Sequence, residues 1–175
     1  RAALAARCRQ VSAISNASAD EVWLADLGAG TRLAIFGSAP EARMSIEVNT
    51  GYLLLANGVP IGYGGVTPLF HQANTGINIF DPFRRSEAAF LWAQTLRAFH
   101  SLYGVTRFVV NGYQVGEGNP EAIASGAFWF YYRLGFRPAN EDTRHLAARE
   151  FTRISASRTH RSSAAVLRRL STGDL

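Results

Sequence analysis

Five aromatic side chains in a row, Phe128-Trp129-Phe130-Tyr131-Tyr132, constrain this chain more than any other stretch. Successive helix residues point about 100° apart, so one helix face cannot bury five neighbours. The segment must be enclosed on several sides, or part of it must stand at a working surface. Its flanks favour a helix. Asn119 as N-cap, Pro120 at the first helical position and Gly135 as the stop predict one helix over 119–135.

The rest of the chain can supply an enclosure. Its 175 residues suit one ordinary domain, and 47% hydrophobic with 18% charged residues excludes a disordered chain. Cys8 is the only cysteine. An internal disulfide and a cysteine zinc cluster are thereby excluded, and a reducing, cytoplasmic setting is favoured. No apolar run approaches the roughly 20 residues of a membrane span. The first residue is Arg1 and not Met, so the chain is expected to be a portion of a longer protein. The net charge is +5, carried entirely by arginine. A G+C-rich coding bias accounts for the arginine and alanine without any function. The absence of lysine excludes Schiff-base chemistry.

Along the chain, residues 2–14 and 18–28 read as helices, the second capped by Ser18 and stopped by Gly28. Residues 32–37 and 75–80 read as strands. Residues 50–66 hold two strands around Asn57-Gly58, a strong hairpin signal. A helix over 84–104 follows, with Phe90, Ala93, Leu96 and Tyr103 facing the core, then a strand over 106–115. Beyond 119–135, helices are predicted over 140–154, capped by Asn140, and over 162–170. The strand-helix-strand unit at 75–115 demands a crossover between strands lying parallel or nearly so. The expected fold is α+β: a central mixed, mostly antiparallel sheet flanked by helices. One domain spans 1–175, with a core at about 18–138 and a helical C-terminal extension over 139–175.

This order, closing on FYYRLGFRP, resembles the GNAT superfamily of acetyl-CoA-dependent N-acetyltransferases. Tyr131, Leu134, Gly135, Phe136 and Pro138 occupy the places of that family's aromatic-to-Leu-Gly-Phe signature, and the likeness covers roughly 31–138. The resemblance implies an acyl-CoA N-acyltransferase fold that takes acetyl-CoA, or another acyl-CoA, and an amine acceptor. It places the cofactor's pyrophosphate on the loop FDPFRRSEAAFLW, at Phe80, Arg84, Arg85, Ser86, Glu87, Ala88 and Ala89. Backbone N–H groups at a helix start form an anion site without needing a charged side chain. Glu87 stands where the family prefers glycine, and the plain reading is that it steadies the helix N-terminus. Ala124 replaces an asparagine that the family often has seven residues before the tyrosine. A helix also follows Pro138 where a final strand hairpin is usual. The alternative is therefore an inactive GNAT-fold domain serving as a scaffold or interaction module.

N-acetyl transfer needs an acid for the departing thiolate and a base or water relay for the attacking ammonium. The resemblance points to Tyr131 as the acid, with Tyr132 beside it. Glu47 and Asp81 are the candidate bases, although Asp81-Pro82 is also an ordinary turn signal. His71 and His100 stand isolated. No His, Cys and Asp grouping shows metal-ligand spacing. Gly62-Tyr63-Gly64-Gly65 lies inside a strand and is expected to mark a bulge. Six arginines, Arg149, Arg153, Arg158, Arg161, Arg168 and Arg169, could attract anions, but no aromatic interleaving for base stacking accompanies them, so nucleic acid is not expected.

Overall fold

A computed structural model describes residues 12–43, 46, 48–84 and 87–175. The chain divides into two compact units, Arg1–Phe108 and Val109–Leu175. The helix expected over 2–14 lies mostly outside the described residues; its last turn is α1, Ser12–Ser15.

The first unit is built on a six-stranded sheet in the order β1-β2-β3-β4-β5-β6. The strands are β1 (Ala17–Gly28), β2 (Thr31–Ser38), β3 (Thr50–Ala56), β4 (Val59–Leu69), β5 (Gln72–Ile79) and β6 (Arg107–Val109). Neighbours from β1 to β5 pair antiparallel. The amides of Thr106 and Arg107 both reach His71 O, at 2.8 and 3.1 Å. The entrances of β5 and β6 therefore meet, as the crossover between them requires. Helix α2, Ala88–Tyr103, is that crossover.

The hairpin at Asn57-Gly58 is formed as expected. Both residues have positive φ, 49° and 81°, which is what a two-residue turn matched to strand twist needs. Residues 18–28, expected as a helix, are instead the edge strand β1. Its partner decides the matter: Val22 to Asp26 pair in register with Phe36 to Arg32 of β2. The Gly28-Ala29-Gly30 run, with φ of 84°, 51° and 74°, is the loop of that hairpin and not a helix stop. Ser18 does accept a local bond, from the Asp20 amide at 3.2 Å, but within an irregular stretch of strand. Hairpin pairing has overridden local helix signals.

The four-residue run Gly62-Tyr63-Gly64-Gly65 makes regular pairs with both neighbours, and the extra residue in β4 is Ile61, between the pairs Leu54–Gly62 and Leu55–Pro60. The expected bulge thus sits one residue earlier. The glycines have another cause. Tyr52, opposite Gly64, crosses β4 so that its hydroxyl donates to Gly76 O at 2.6 Å. A Cβ on Gly64 would overlap both the Tyr52 ring and that carbonyl.

Helix α2 buries Leu91, Trp92, Thr95 and Phe99. The expected stripe is off by one residue, and Phe90 is 48% exposed. Thr95 hides its polarity by donating to Leu91 O at 2.8 Å, so a hydroxyl sits in the core where an apolar pattern would not look for one.

The second unit is helical: α3 (Gly112–Val115), α4 (Pro120–Ser125), α5 (Ala127–Arg133), α6 (Glu141–Ala156) and α7 (Ala164–Leu170). The strand expected over 106–115 is only three residues long, because the Asn111 side chain accepts from the Gln114 amide and starts α3. The single helix expected over 119–135 is two. Gly126, at φ 67°, caps α4 before α5 begins. The helices expected over 140–154 and 162–170 are present as α6 and α7. All five aromatics of α5 are wholly or partly buried. Phe128, Trp129 and Tyr132 contact one another, and Phe151 of α6 packs on Trp129 and Tyr132 at 6.0 and 5.1 Å. Phe130 and Phe136 enclose Tyr131. The run is enclosed by aromatic neighbours.

Candidate functional site

Strand β5 delivers the expected cofactor segment to the opening of α2. Phe80 is a core residue, 3% exposed. Its N–H reaches Ile61 O at 2.9 Å, and its ring packs on Tyr63 at 5.9 Å. The chain then makes one tight turn, Asp81–Phe83. Arg84 folds back over that turn. Its Nε donates to Ile79 O at 2.8 Å, and its Nη1 lies 3.1 Å from Asp81 Oδ1. Asp81 is thus placed to brace the turn, with its carboxylate engaged by Arg84.

Glu87 occupies the N-cap position of α2, and its side chain makes no capping bond. Its carboxylate is exposed, as is Ala89, while Ala88 is half-buried. The first N–H groups of any helix lack partners within it, and at α2 the N-cap side chain does not take them up. The second unit differs. Asn111, Asn119, Asn140 and Ser163 each accept the amide three residues on, at 3.1 to 3.3 Å. Glu47, Arg85 and Ser86 lie outside the described residues.

Tyr131 is 2% exposed and belongs to the second unit. Its surroundings explain the Leu-Gly-Phe motif in physical terms. The Phe136 amide bonds Tyr131 O at 3.2 Å and the Gly135 amide bonds Tyr132 O at 3.2 Å. Gly135 has φ 99°, and the Tyr131 and Phe136 rings meet edge-on at 5.7 Å. This is the Schellman ending of a helix, complete with its apolar contact across the turn. Tyr132 is clamped from outside by Arg137, whose guanidinium lies 4.0 Å from its ring centre.

His71 contributes its carbonyl to the β5–β6 junction, and the His100 Nδ1 meets Val105 O at 2.8 Å beyond the end of α2. Among the described residues no three His, Cys, Asp or Glu side chains are grouped to hold a metal.

One charged residue escaped sequence reasoning. Glu150 of α6 is only 4% exposed. Its carboxylate accepts from Ser162 Oγ at 2.9 Å and Arg153 Nη1 at 2.9 Å, with His160 Nε2 at 3.4 Å. Burial pushes its pKa up, but the bonds from Ser162, His160 and Arg153 outweigh burial and hold the carboxyl below its ordinary value. The available signal was spacing. Glu150 lies between Ala147 and Ile154, on the stripe that α6 turns inward.

The fold this geometry defines is α+β, with a mixed sheet and a single helical crossover. No protein-family model matches the chain, and no curated protein matches its sequence. Among solved structures, similarity is found to a dodecameric spermidine N-acetyltransferase from Vibrio cholerae. The two are 16% identical over 53% of this chain and 52% of that one, with a TM-score of 0.40. The chain thus spans about half the length of that structure. A mutant form of the spermidine/spermine N-acetyltransferase SpeG from Vibrio cholerae is 15% identical over 57% of this chain and 58% of its own, with a TM-score of 0.42. AAC(6')-Iy, in complex with the bisubstrate analog CoA-S-monomethyl-acetylneamine, is 16% identical over 58% and 69%, with a TM-score of 0.40. The first two are N-acetyltransferases by name, and the third is held with a CoA bisubstrate analog. Likeness at this level carries nothing about chemistry.

Proposed function

We propose that this chain carries a GNAT-type acyl-donor site and transfers an acetyl or acyl group from acyl-CoA to an amine. The observation that carries the reading is the opening of α2. A tight turn leads from β5 into a helix whose N-cap side chain leaves the first amides uncapped. Such an opening offers converging N–H groups and the positive end of the helix dipole to a diphosphate. The small side chains of Ala88 and Ala89 allow close backbone approach. Phe80 anchors the end of the strand, and Arg84, Arg85 and Ser86 belong to the same proposed loop. The bound cofactor would supply the activated thioester. Tyr131 is proposed as the acid on the resemblance, and Glu47 or Asp81 as the base because the attacking ammonium must lose a proton.

A second reading has its own support. Glu87 puts a negative charge beside the proposed anion, and Tyr131 is enclosed by rings and engaged in a helix cap. Both features suit a GNAT-like domain that binds no cofactor and serves as an interaction module. Acetyl-CoA titration separates the two readings. Saturable binding competed by CoA supports the transferase. No binding at about millimolar ligand, an affinity worth only about 4 kcal/mol, leaves the interaction module.

A further inference from the structure

The second unit contains a concave, cationic pocket of about 360 Å³ that no part of the proposed transferase uses. Trp129 and Arg133 of α5 form one wall. Ile154 near the end of α6, with Arg158, His160 and Arg161 of the segment joining α6 to α7, forms the other. No acid lines it. The one buried carboxylate nearby, Glu150, is already occupied by Ser162, Arg153 and His160. No carboxylate among the described residues pairs with Arg133, Arg158 or Arg161.

Helix ends explain part of this charge. Arg133 sits in the last turn of α5, where a cation complements the dipole. That account does not reach Arg158 and Arg161, which lie beyond the end of α6. Their segment is held in shape from two sides. Glu150 pins it through Ser162 and His160. Within it, Arg161 Nη1 donates to the carbonyls of Arg158 and His160, both at 2.8 Å. A segment ordered before a ligand arrives loses less entropy on binding. The floor is apolar on the Ile154 and Trp129 side. The Trp129 Nε1–H is buried and has no hydrogen-bond partner among the described residues, which for a buried donor is uncommon.

We infer that this pocket binds a small phosphorylated organic molecule, its phosphate held by Arg133, Arg158 and Arg161 and its apolar body lying against Ile154 and Trp129. Three guanidinium groups exceed what one carboxylate requires and suit the near-dianionic charge of a phosphate monoester. The volume is that of a small-molecule site and far below the extended surface that a nucleic acid would contact.

The test uses phenyl phosphate as probe, titrated into the full chain by calorimetry at low salt, with inorganic phosphate and a single-stranded oligonucleotide as separate arms. Phenyl phosphate is expected to bind saturably and more tightly than inorganic phosphate. The double substitution Arg133→Ala with Arg158→Ala should weaken it about tenfold or more, by loss of charge-assisted hydrogen bonds. Both side chains are exposed, so circular dichroism should be unchanged. Arg168→Ala with Arg169→Ala, equally basic but outside the pocket, should leave binding intact. Three outcomes overturn the inference: no saturable binding up to about 10 mM probe, a range reaching below about 3 kcal/mol of affinity; equal weakening by the two double variants; or oligonucleotide binding that replaces phenyl phosphate binding and depends on Arg133 and Arg158.

Discussion

The two units solve the same problem in opposite ways. In the first, backbone polar groups are satisfied by a sheet ladder running from β1 to β5, and helix α2 opens without a side-chain cap. In the second, satisfaction is mostly local: Asn111, Asn119, Asn140 and Ser163 close the openings of four of its five helices within three residues, and only the short α5 opens on a glycine. The difference bears on function. A helix opening that its own N-cap residue has closed is not available to an anion, and α2 is the long helix whose opening is left to other partners.

Four substitutions bear on this contrast. The largest effect is expected in the second unit. Phe128→Ala removes a ring with no exposed surface that contacts both Trp129 and Tyr132. It should destabilise the protein by about 3–5 kcal/mol in denaturant unfolding. Gly64→Ala attacks the first unit, forcing Tyr52 off Gly76 O, and should cost about 1–3 kcal/mol or more by the same measurement. Asn140→Ala removes a cap and should cost about 1 kcal/mol. Glu87→Ala, where no cap bond exists, should change stability by no more than about 0.5 kcal/mol. Should Glu87→Ala prove as costly as Asn140→Ala, the contrast between the openings is lost.

A further effect is tied to pH. Because the Glu150 carboxyl is held below its ordinary value by Ser162, His160 and Arg153, its contribution is complete above the unfolded-state pKa. It is lost as pH falls through the lower folded-state value. Glu150→Gln should therefore flatten the acid side of the stability-versus-pH curve, as thermal melts across that range would record.

What could be read from the sequence follows the same division. Local signals were legible: the Asn57-Gly58 hairpin, the Asn119, Asn140 and Gly135 helix boundaries, and the helices of the C-terminal third all form. Pairing signals were not. Residues 18–28 carry a cap and a stop, yet they form β1 because β2, just across the turn, offers a registered partner that the helix signals do not weigh. The α2 stripe was misplaced because Thr95 conceals its hydroxyl on its own backbone. Gly126 falls inside the single helix expected over 119–135 and is a helix end. At the candidate site, the motif that carried the family resemblance, Tyr131 to Phe136, is fully accounted for as a helix cap. The same residues would be selected with or without catalysis, so the motif speaks for architecture before it speaks for chemistry.

The proposed donor site therefore rests on α2, and Glu87 is the residue that interrogates it. Acetyl-CoA binding should be measured by calorimetry on the unaltered chain and on Glu87→Gly. If the opening of α2 receives a diphosphate, both proteins bind and Glu87→Gly binds more tightly, since it sheds a like charge beside the phosphates. If neither protein binds, or removing the charge makes no difference to affinity, the amides of α2 are not the donor site.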